Sequence, residues 1–313
     1  MSTLSPASPA GPATALPTGQ QWTIGHGPFA ATVVEVGGGL RTLSRDGIDV
    51  VAGYAADETC ASGRGQQLMP WPNRIRDGRY SFGGTEHQLS VTEVPRGNAS
   101  HGLVRWVGWE LVELGDDRLT VGLRLHPQPG WDHVLDLRTT YRLDDSGLVV
   151  TTSARNVGPT EAPFGYGAHP YLAIGDTLLP DVDLRIPAAS WVEVDDRLLP
   201  AATHPVEGSA FDFRSPHAVG EARLDTAYTD VVRDDDGLWR CTVTAADRAT
   251  TLWADASFGW LQVFTAIAED RKGEVGIAVE PMSCPADAFN SGEGLVVLAP
   301  GEQWTGTWGI SPA

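Results

Sequence analysis

Positive charge is scarce in this chain. Lysine and arginine number 22 against 40 aspartates and glutamates in 313 residues, a formal net charge of −18. A phosphate-binding surface needs a basic face, so the balance argues against nucleic acid as a partner and is accounted for by solubility. Cysteine is scarcer still. Cys60, Cys241 and Cys284 are odd in number, far apart and without a CxxC pair, which speaks against a disulfide framework or a cysteine zinc site and fits a reducing compartment. No apolar segment reaches the roughly 18 residues of a membrane span, so no membrane partner is expected, and the expected location is cytoplasmic. The phosphate loop GxxxxGKS/T, a strand followed by GxGxxG, and HExxH are all missing. Their absence removes several nucleotide, dinucleotide and zinc-hydrolase classes, and no cofactor or metal is expected.

The opening stretch "MSTLSPASPAGPATALPTGQ" has neither a basic start nor a continuous apolar core. It reads as a disordered tail over residues 1–20, with too little apolar surface to offset its ordering entropy. From residue 21 onward, short alternating or β-branched runs recur between turn residues. Asp46-Gly47, Gly83-Gly84, Asp116-Asp117 and Asp144-Asp145-Ser146-Gly147 each stand between two such runs as hairpin tips. The period is two, and 36 glycines with 22 prolines interrupt the chain too often for long helices. Neither an internal repeat of propeller length nor a linker is visible, so residues 21–313 are expected to form one all-β domain, most simply a large antiparallel β-sandwich.

Five loop-like segments flanked by glycine or proline carry the chemistry-bearing side chains: "WPNRIRDG", "GNASHGL", "GYGAHPY", "RLDTAYTD" and "AVEPMSCPADAFN". In "FGYGAHPYLAIG" the glycines free the backbone, and Pro170 removes an amide donor and restricts the residue before it, so His169 is held at a bend. Glu280 ends the apolar run "GIAVE" directly before Pro281, which suits either a solvated strand end or the mouth of a β cavity. Singly, each has an ordinary explanation. His101 between Ser100 and Gly102 reads as a surface-loop histidine, and Arg74 and Asp225 as salt-bridge formers. Tryptophans such as Trp71, Trp109 and Trp131 in a β-rich chain read as core.

Together and in order, these segments resemble a known family. Asn73-Arg74-Ile75 followed by Gly78, then His101-Gly102, His169-Pro170-Tyr171 and Leu224-Asp225, and finally "EPMSCPADAFN" and "LAPGEQW", are similar to the aldose 1-epimerases, or galactose mutarotases. The resemblance runs over roughly residues 25–310. It implies a large antiparallel β-sandwich of the galactose mutarotase type and the interconversion of α and β anomers of a free aldose without metal or organic cofactor. By resemblance Glu280 is the catalytic base, His169 the catalytic acid and His101 the second active-site histidine. Arg74, Asp225 and Asn73 are matched to substrate binding. The reaction wants such groups, because one proton must leave the anomeric hydroxyl while another reaches the ring oxygen.

Trp71-Pro72 ahead of the Asn-Arg pair, and Pro170 with "LAIG" after His169, depart from the better-known galactose mutarotase pattern and bear on substrate preference. Two other readings share the fold. One is a hexose-6-phosphate 1-epimerase, with Arg76, Arg79, Arg96 and Arg105 near the site loops as its phosphate pocket. The other is a non-catalytic sugar-binding or sensor protein, against which the matched acid and base speak. His126 and His133 in "HPQPGWDH" lack a joining carboxylate-histidine set for metal-dependent hydrolysis. The motif wording favours an unphosphorylated hexose, as monomer or homodimer.

Overall fold

Strand formation follows the alternation closely. "LDLRTTYRLD" buries every second residue of the Leu135–Asp144 strand, as a sheet with one face on a core requires. Asp46 and Gly47, both at positive φ (52° and 78°), turn Leu40–Arg45 into Ile48–Asp49, and Gly83 and Gly84 turn Arg79–Phe82 into Thr85–Gln88. At the tip after Leu135–Asp144, the Asp144 carboxylate accepts hydrogen bonds from the backbone N–H and hydroxyl of Ser146, and Gly147–Asn156 follows. The only α-helix among the described residues is the single turn Ala288–Ser291.

The computed structural model describes residues 15–246, 248–265 and 276–313. Residues 1–14 of the expected tail lie outside these. Residues 15–20 do not behave as a free tail: Thr18 is buried, its carbonyl accepts from the Val36 amide, and the Gln20 carbonyl accepts from the Glu35 amide. The tail boundary set after residue 20 therefore moves toward the N-terminus, because these backbone groups extend the pairing of the Gln21–His26 strand.

Two large antiparallel sheets make the body. One has nine strands in the order Glu110–Leu114, Arg118–Leu125, Leu135–Asp144, Gly147–Asn156, Gln303–Pro312, Arg248–Ala254, Trp239–Ala245, Asp183–Arg185, His217–Ala218. The other, which carries the site, runs Pro200–Pro205, Ala188–Val194, Asp225–Val231, Trp260–Thr265, Ile277–Met282, Gly167–Ala168, Gln67–Leu68, with Tyr171–Leu172 also paired to Ile277–Met282. A four-stranded sheet of Gln21–His26, Phe29–Val34, Leu40–Arg45 and Ile48–Asp49 adds to them. One apolar cluster takes Leu119, Tyr141 and Trp308 from the nine-stranded sheet and Leu261, Val263 and Val279 from the site sheet. The fold is thus the all-β antiparallel sandwich expected. Trp71, Trp109 and Trp131 are all core residues.

A buried polar chain crosses this core directly behind the site. Trp308 Nε1 donates to the Tyr166 hydroxyl (2.9 Å), Tyr166 donates to Gln67 Oε1 (2.7 Å), Gln67 Nε2 donates to the Tyr141 hydroxyl (2.6 Å), and Tyr141 donates to the Gly38 carbonyl (2.6 Å). Every member is satisfied, so the chain fixes how the two sheets sit on each other without leaving an orphaned dipole. Tyr166→Phe removes two of these bonds and strands the Trp308 N–H and a Gln67 oxygen. It should lower unfolding free energy by about 1–3 kcal/mol, read as a shift of the urea midpoint. An unshifted midpoint would show that the chain contributes nothing to the seating of the sheets.

Candidate active site

Pro170 breaks one strand into two pieces, and the break places His169. Gly167–Ala168 pairs with Ile277–Met282 at Gly167 opposite Met282, and Tyr171–Leu172 resumes the pairing at Tyr171 opposite Ala278. The register is the same on both sides of the gap, so His169 falls opposite Glu280. On the other flank of the same strand Glu280 lies opposite Gln262, and Asp225, one strand further, is Gln262's diagonal neighbour. Directly opposed residues share a face of a sheet. That face is covered, which is why Ile277–Met282 is buried at every position although only alternate residues reach the core.

His169 and Glu280 are 6% and 2% exposed, and His169 Nε2 stands 3.4 Å from Glu280 Oε1. Tyr171 stacks on the imidazole at 5.1 Å between centroids, and its hydroxyl donates to the Ser62 carbonyl. Gly63 closes the other approach. Its φ is +70°, and a Cβ there would come within 3.0 Å of His169 Cδ2. Among the described residues, His169 Nδ1 and Glu280 Oε2 have no hydrogen-bond partner.

The second histidine comes from a clasp between two strand ends. Arg74–Arg76 pairs with Asn98–Ser100, and the residues just beyond, Asn73 and His101, both take left-handed backbone (φ 53° and 61°). The Asn73 amide donates to His101 Nδ1 (3.1 Å) and the His101 amide donates to the Asn73 carbonyl (2.7 Å). Because Nδ1 accepts, the proton of the neutral ring is on Nε2, leaving a donor. The two histidine rings meet edge to face at 5.7 Å.

Arg74 is held in a fork by Glu93, Nε to Oε2 at 2.8 Å and Nη2 to Oε1 at 3.0 Å, while Nη1 donates to Asn73 Oδ1 (3.0 Å). Asn73 Nδ2 reaches Gln262 Oε1 at 3.4 Å, and Gln262 Nε2 donates to Asp225 Oδ1 at 2.6 Å. Asp287 braces the same corner: its amide donates to the Arg74 carbonyl and its Oδ1 accepts from the Arg76 amide.

Burial dominates the electrostatics. It pushes the Glu280 carboxyl well above the carboxylate range, Asp225 adds to this, and Arg74 opposes it. Burial first, then the Arg105 charge, takes His169 down to about 3. His101 is also held well below the ordinary imidazole value, by desolvation and then by Arg105 and His169. Burial thus favours the uncharged form of both groups, with the pair's proton on Glu280 rather than on His169.

All six residues singled out from the sequence, Asn73, Arg74, His101, His169, Asp225 and Glu280, line one cavity of about 520 Å³. Gln262, Glu93, Trp106, Tyr171 and Phe264 line it too and were not marked as ligands or catalysts. Of the four arginines considered for a phosphate pocket, only Arg105 lines the cavity. Arg76 faces Asp195 and Asp287, Arg79 binds Gln88, and Arg96 pairs with Glu93. Among the described residues no group of three His, Cys, Asp or Glu is arranged to hold a metal ion.

The family model for aldose 1-epimerase matches residues 20–311. The Escherichia coli protein YihR, itself uncharacterised, is 32% identical over 286 residues, covering 91% of each chain. Mouse galactose mutarotase is 32% identical over 195 residues, 58% of this chain and 55% of that enzyme. In three dimensions the chain resembles galactose 1-epimerase from Lactobacillus acidophilus, with a TM-score of 0.76 at 20% identity, covering 93% of both chains. An aldose epimerase homologue from C. elegans superposes with a TM-score of 0.82 at 20% identity, over 94% of this chain and 98% of that one. With a family match running over nearly the whole chain, and a sandwich fold shared with these structures, the protein belongs to the aldose 1-epimerase family.

Proposed function

We propose that this site interconverts the α and β anomers of a free hexose by acid and base catalysis of ring opening and closure. The observation that carries the reading is the buried His169–Glu280 pair, 3.4 Å apart, at a cavity also lined by Asn73, Arg74, His101 and Asp225. Glu280 takes the proton from the anomeric hydroxyl, O1 forms the carbonyl as the C1–O5 bond breaks, and His169 delivers a proton to O5. After rotation about C1–C2 the hydroxyl adds to the other carbonyl face and both protons return. His101 Nε2–H, Arg74 and Asn73 donate to sugar oxygens, and Asp225 accepts from hydroxyls, so the ring is fixed against the pair.

These roles require the pair's one proton to rest on His169 when the sugar is bound. Glu280 Oε2 has no hydrogen-bond partner among the described residues, and a hydrogen bond from the anomeric hydroxyl would favour its charged form. Sugar hydroxyls that bind Asp225 also screen the charge that raises Glu280. Substrate binding and proton placement are thus coupled at one carboxylate.

Polarimetry on freshly dissolved glucose and galactose, corrected for the spontaneous rate, tests the activity. Glu280→Gln keeps the shape and should lower kcat by about 10²-fold or more. A variant within about threefold of the parent would remove Glu280 from the role. The pH profile of kcat/KM should be bell-shaped. It falls on the acid side toward pH about 3, where His169 gains a second proton, and on the alkaline side above the usual carboxylate range, where the pair loses its only one. An alkaline limb carried unchanged into Glu280→Gln contradicts this.

His169→Asn should chiefly lower kcat, whereas His101→Asn should raise KM as well as lower kcat. If His101 proves the more damaging site in kcat, the two roles are exchanged. Gln262→Leu withdraws the donor from Asp225 and should weaken kcat/KM by about 1–3 kcal/mol, mainly through KM. Unchanged kinetics with intact circular dichroism would leave Gln262 an ordinary strand residue.

A further inference from the structure

Arg105 differs from the other arginine of the cavity. Arg74 is neutralised by the Glu93 fork, whereas Arg105 makes no salt bridge among the described residues. Its guanidinium bonds are two long ones, Nη1 to Gln66 Oε1 and Nη2 to the Ser100 carbonyl, both at 3.5 Å. The neighbouring Trp106 also lines the cavity, is 57% exposed, and has its ring centroid 5.7 Å from the guanidinium carbon. The cavity thus holds a cation that no carboxylate of the described residues contacts, with spare donors and beside an uncovered aromatic ring. Burial lowers the Arg105 pKa, opposed by Cys60.

The side of the site it occupies can be read from its neighbours. Arg105 Nη2 donates to the carbonyl of Ser100, the residue before His101, whose ring meets that of His169, whereas Arg74 is tied through Asn73 to Gln262, the residue opposite Glu280. On the proposed roles Glu280 meets O1 and His169 meets the ring oxygen. The ring oxygen's other neighbour is C5, which carries C6. A substituent at C6 is therefore directed to the histidine side, toward Arg105.

We propose that Arg105, flanked by Trp106, is a subsite for a carboxylate at C6, so that the preferred substrate is a hexuronate. This rests on the anomer-interconverting reading above. A planar, monoanionic carboxylate matches one guanidinium through two parallel hydrogen bonds. A dianionic phosphate would leave a charge uncompensated here, because Arg76, Arg79 and Arg96 are outside the cavity and engaged elsewhere. The net charge of −18 does not forbid an acidic sugar, since salt screens distant charges beyond about 8 Å.

The test compares anomer equilibration of glucuronate, glucose and glucose 6-phosphate by the full-length protein and by Arg105→Gln, using NMR exchange at equal ionic strength. Glucuronate should show a kcat/KM at least about tenfold above glucose, equal to about 1.4 kcal/mol, and Arg105→Gln should reduce that ratio toward one. Glucose equal to or above glucuronate, a ratio unchanged in Arg105→Gln, or glucose 6-phosphate above both overturns the proposal while leaving anomer interconversion standing. If no sugar is turned over above the spontaneous rate, the catalytic reading fails. Calorimetric binding then decides the subsite: glucuronate should bind more tightly than glucose in the parent and lose that advantage in Arg105→Gln, and equal binding rejects it.

Discussion

The site depends on the register of one strand. Ile277–Met282 pairs with Trp260–Thr265 on one flank and with two fragments separated by His169-Pro170 on the other. A slip of one residue would turn Glu280 into the apolar core and bring Val279 or Pro281 to the site face, because side chains alternate strictly along a strand. The apolar set Val279, Val263 and Leu261 on the inner face opposes such a slip. Hydrophobic patterning on one face thus specifies the position of a carboxylate on the other. Pro170 leaves this intact, and the backbone of His169 stays paired on the other flank, its amide donating to the Gln66 carbonyl and its carbonyl accepting from the Gly65 amide.

Burial of these groups has an electrostatic cost that the structure confines. Arg74 and Glu93 neutralise each other, and Gln262 donates to Asp225. Within the cavity, Glu280 Oε2 and His169 Nδ1 are left without a hydrogen-bond partner among the described residues, and Arg105 without a carboxylate. Unmade hydrogen bonds inside a cavity are expensive in the absence of ligand, so their location marks where a ligand's polar atoms are expected. The satisfied chain from Trp308 through Tyr166 and Gln67 to Tyr141 is the contrast, since it is structural and complete.

Much of this was legible in the sequence. Two-residue tips such as Asp46-Gly47 and Gly83-Gly84 announced their hairpins because positive φ at both positions restricts which residues can stand there. His169 and Glu280 stood out because each precedes a proline, although only His169 lies at a strand break and Glu280 is inside Ile277–Met282. Gln262 carried no such signal: in "WLQVFTAI" it is one polar residue in an alternating strand, and only its opposition to Glu280 gives it a role. Trp106 was hidden among eleven tryptophans, since exposure, which separates it from Trp109, is not a property of composition. Thr18 and Gln20, read as part of a tail, are held by backbone hydrogen bonds, to which side-chain composition is blind.

The sequence by itself determined the all-β class, the hairpin tips and the set of chemistry-bearing side chains, since period-two patterning and turn residues act over a few neighbouring positions. Their convergence was decided only in three dimensions. Asn73, His101, His169, Asp225 and Glu280 are separated by tens of residues and are joined by strand pairing between distant segments. The division of the arginines into those engaged at the surface, the one neutralised by Glu93 and the one left open is likewise tertiary. A guanidinium's charge is a property of the residue, but its compensation depends on which carboxylate the fold brings within hydrogen-bond reach.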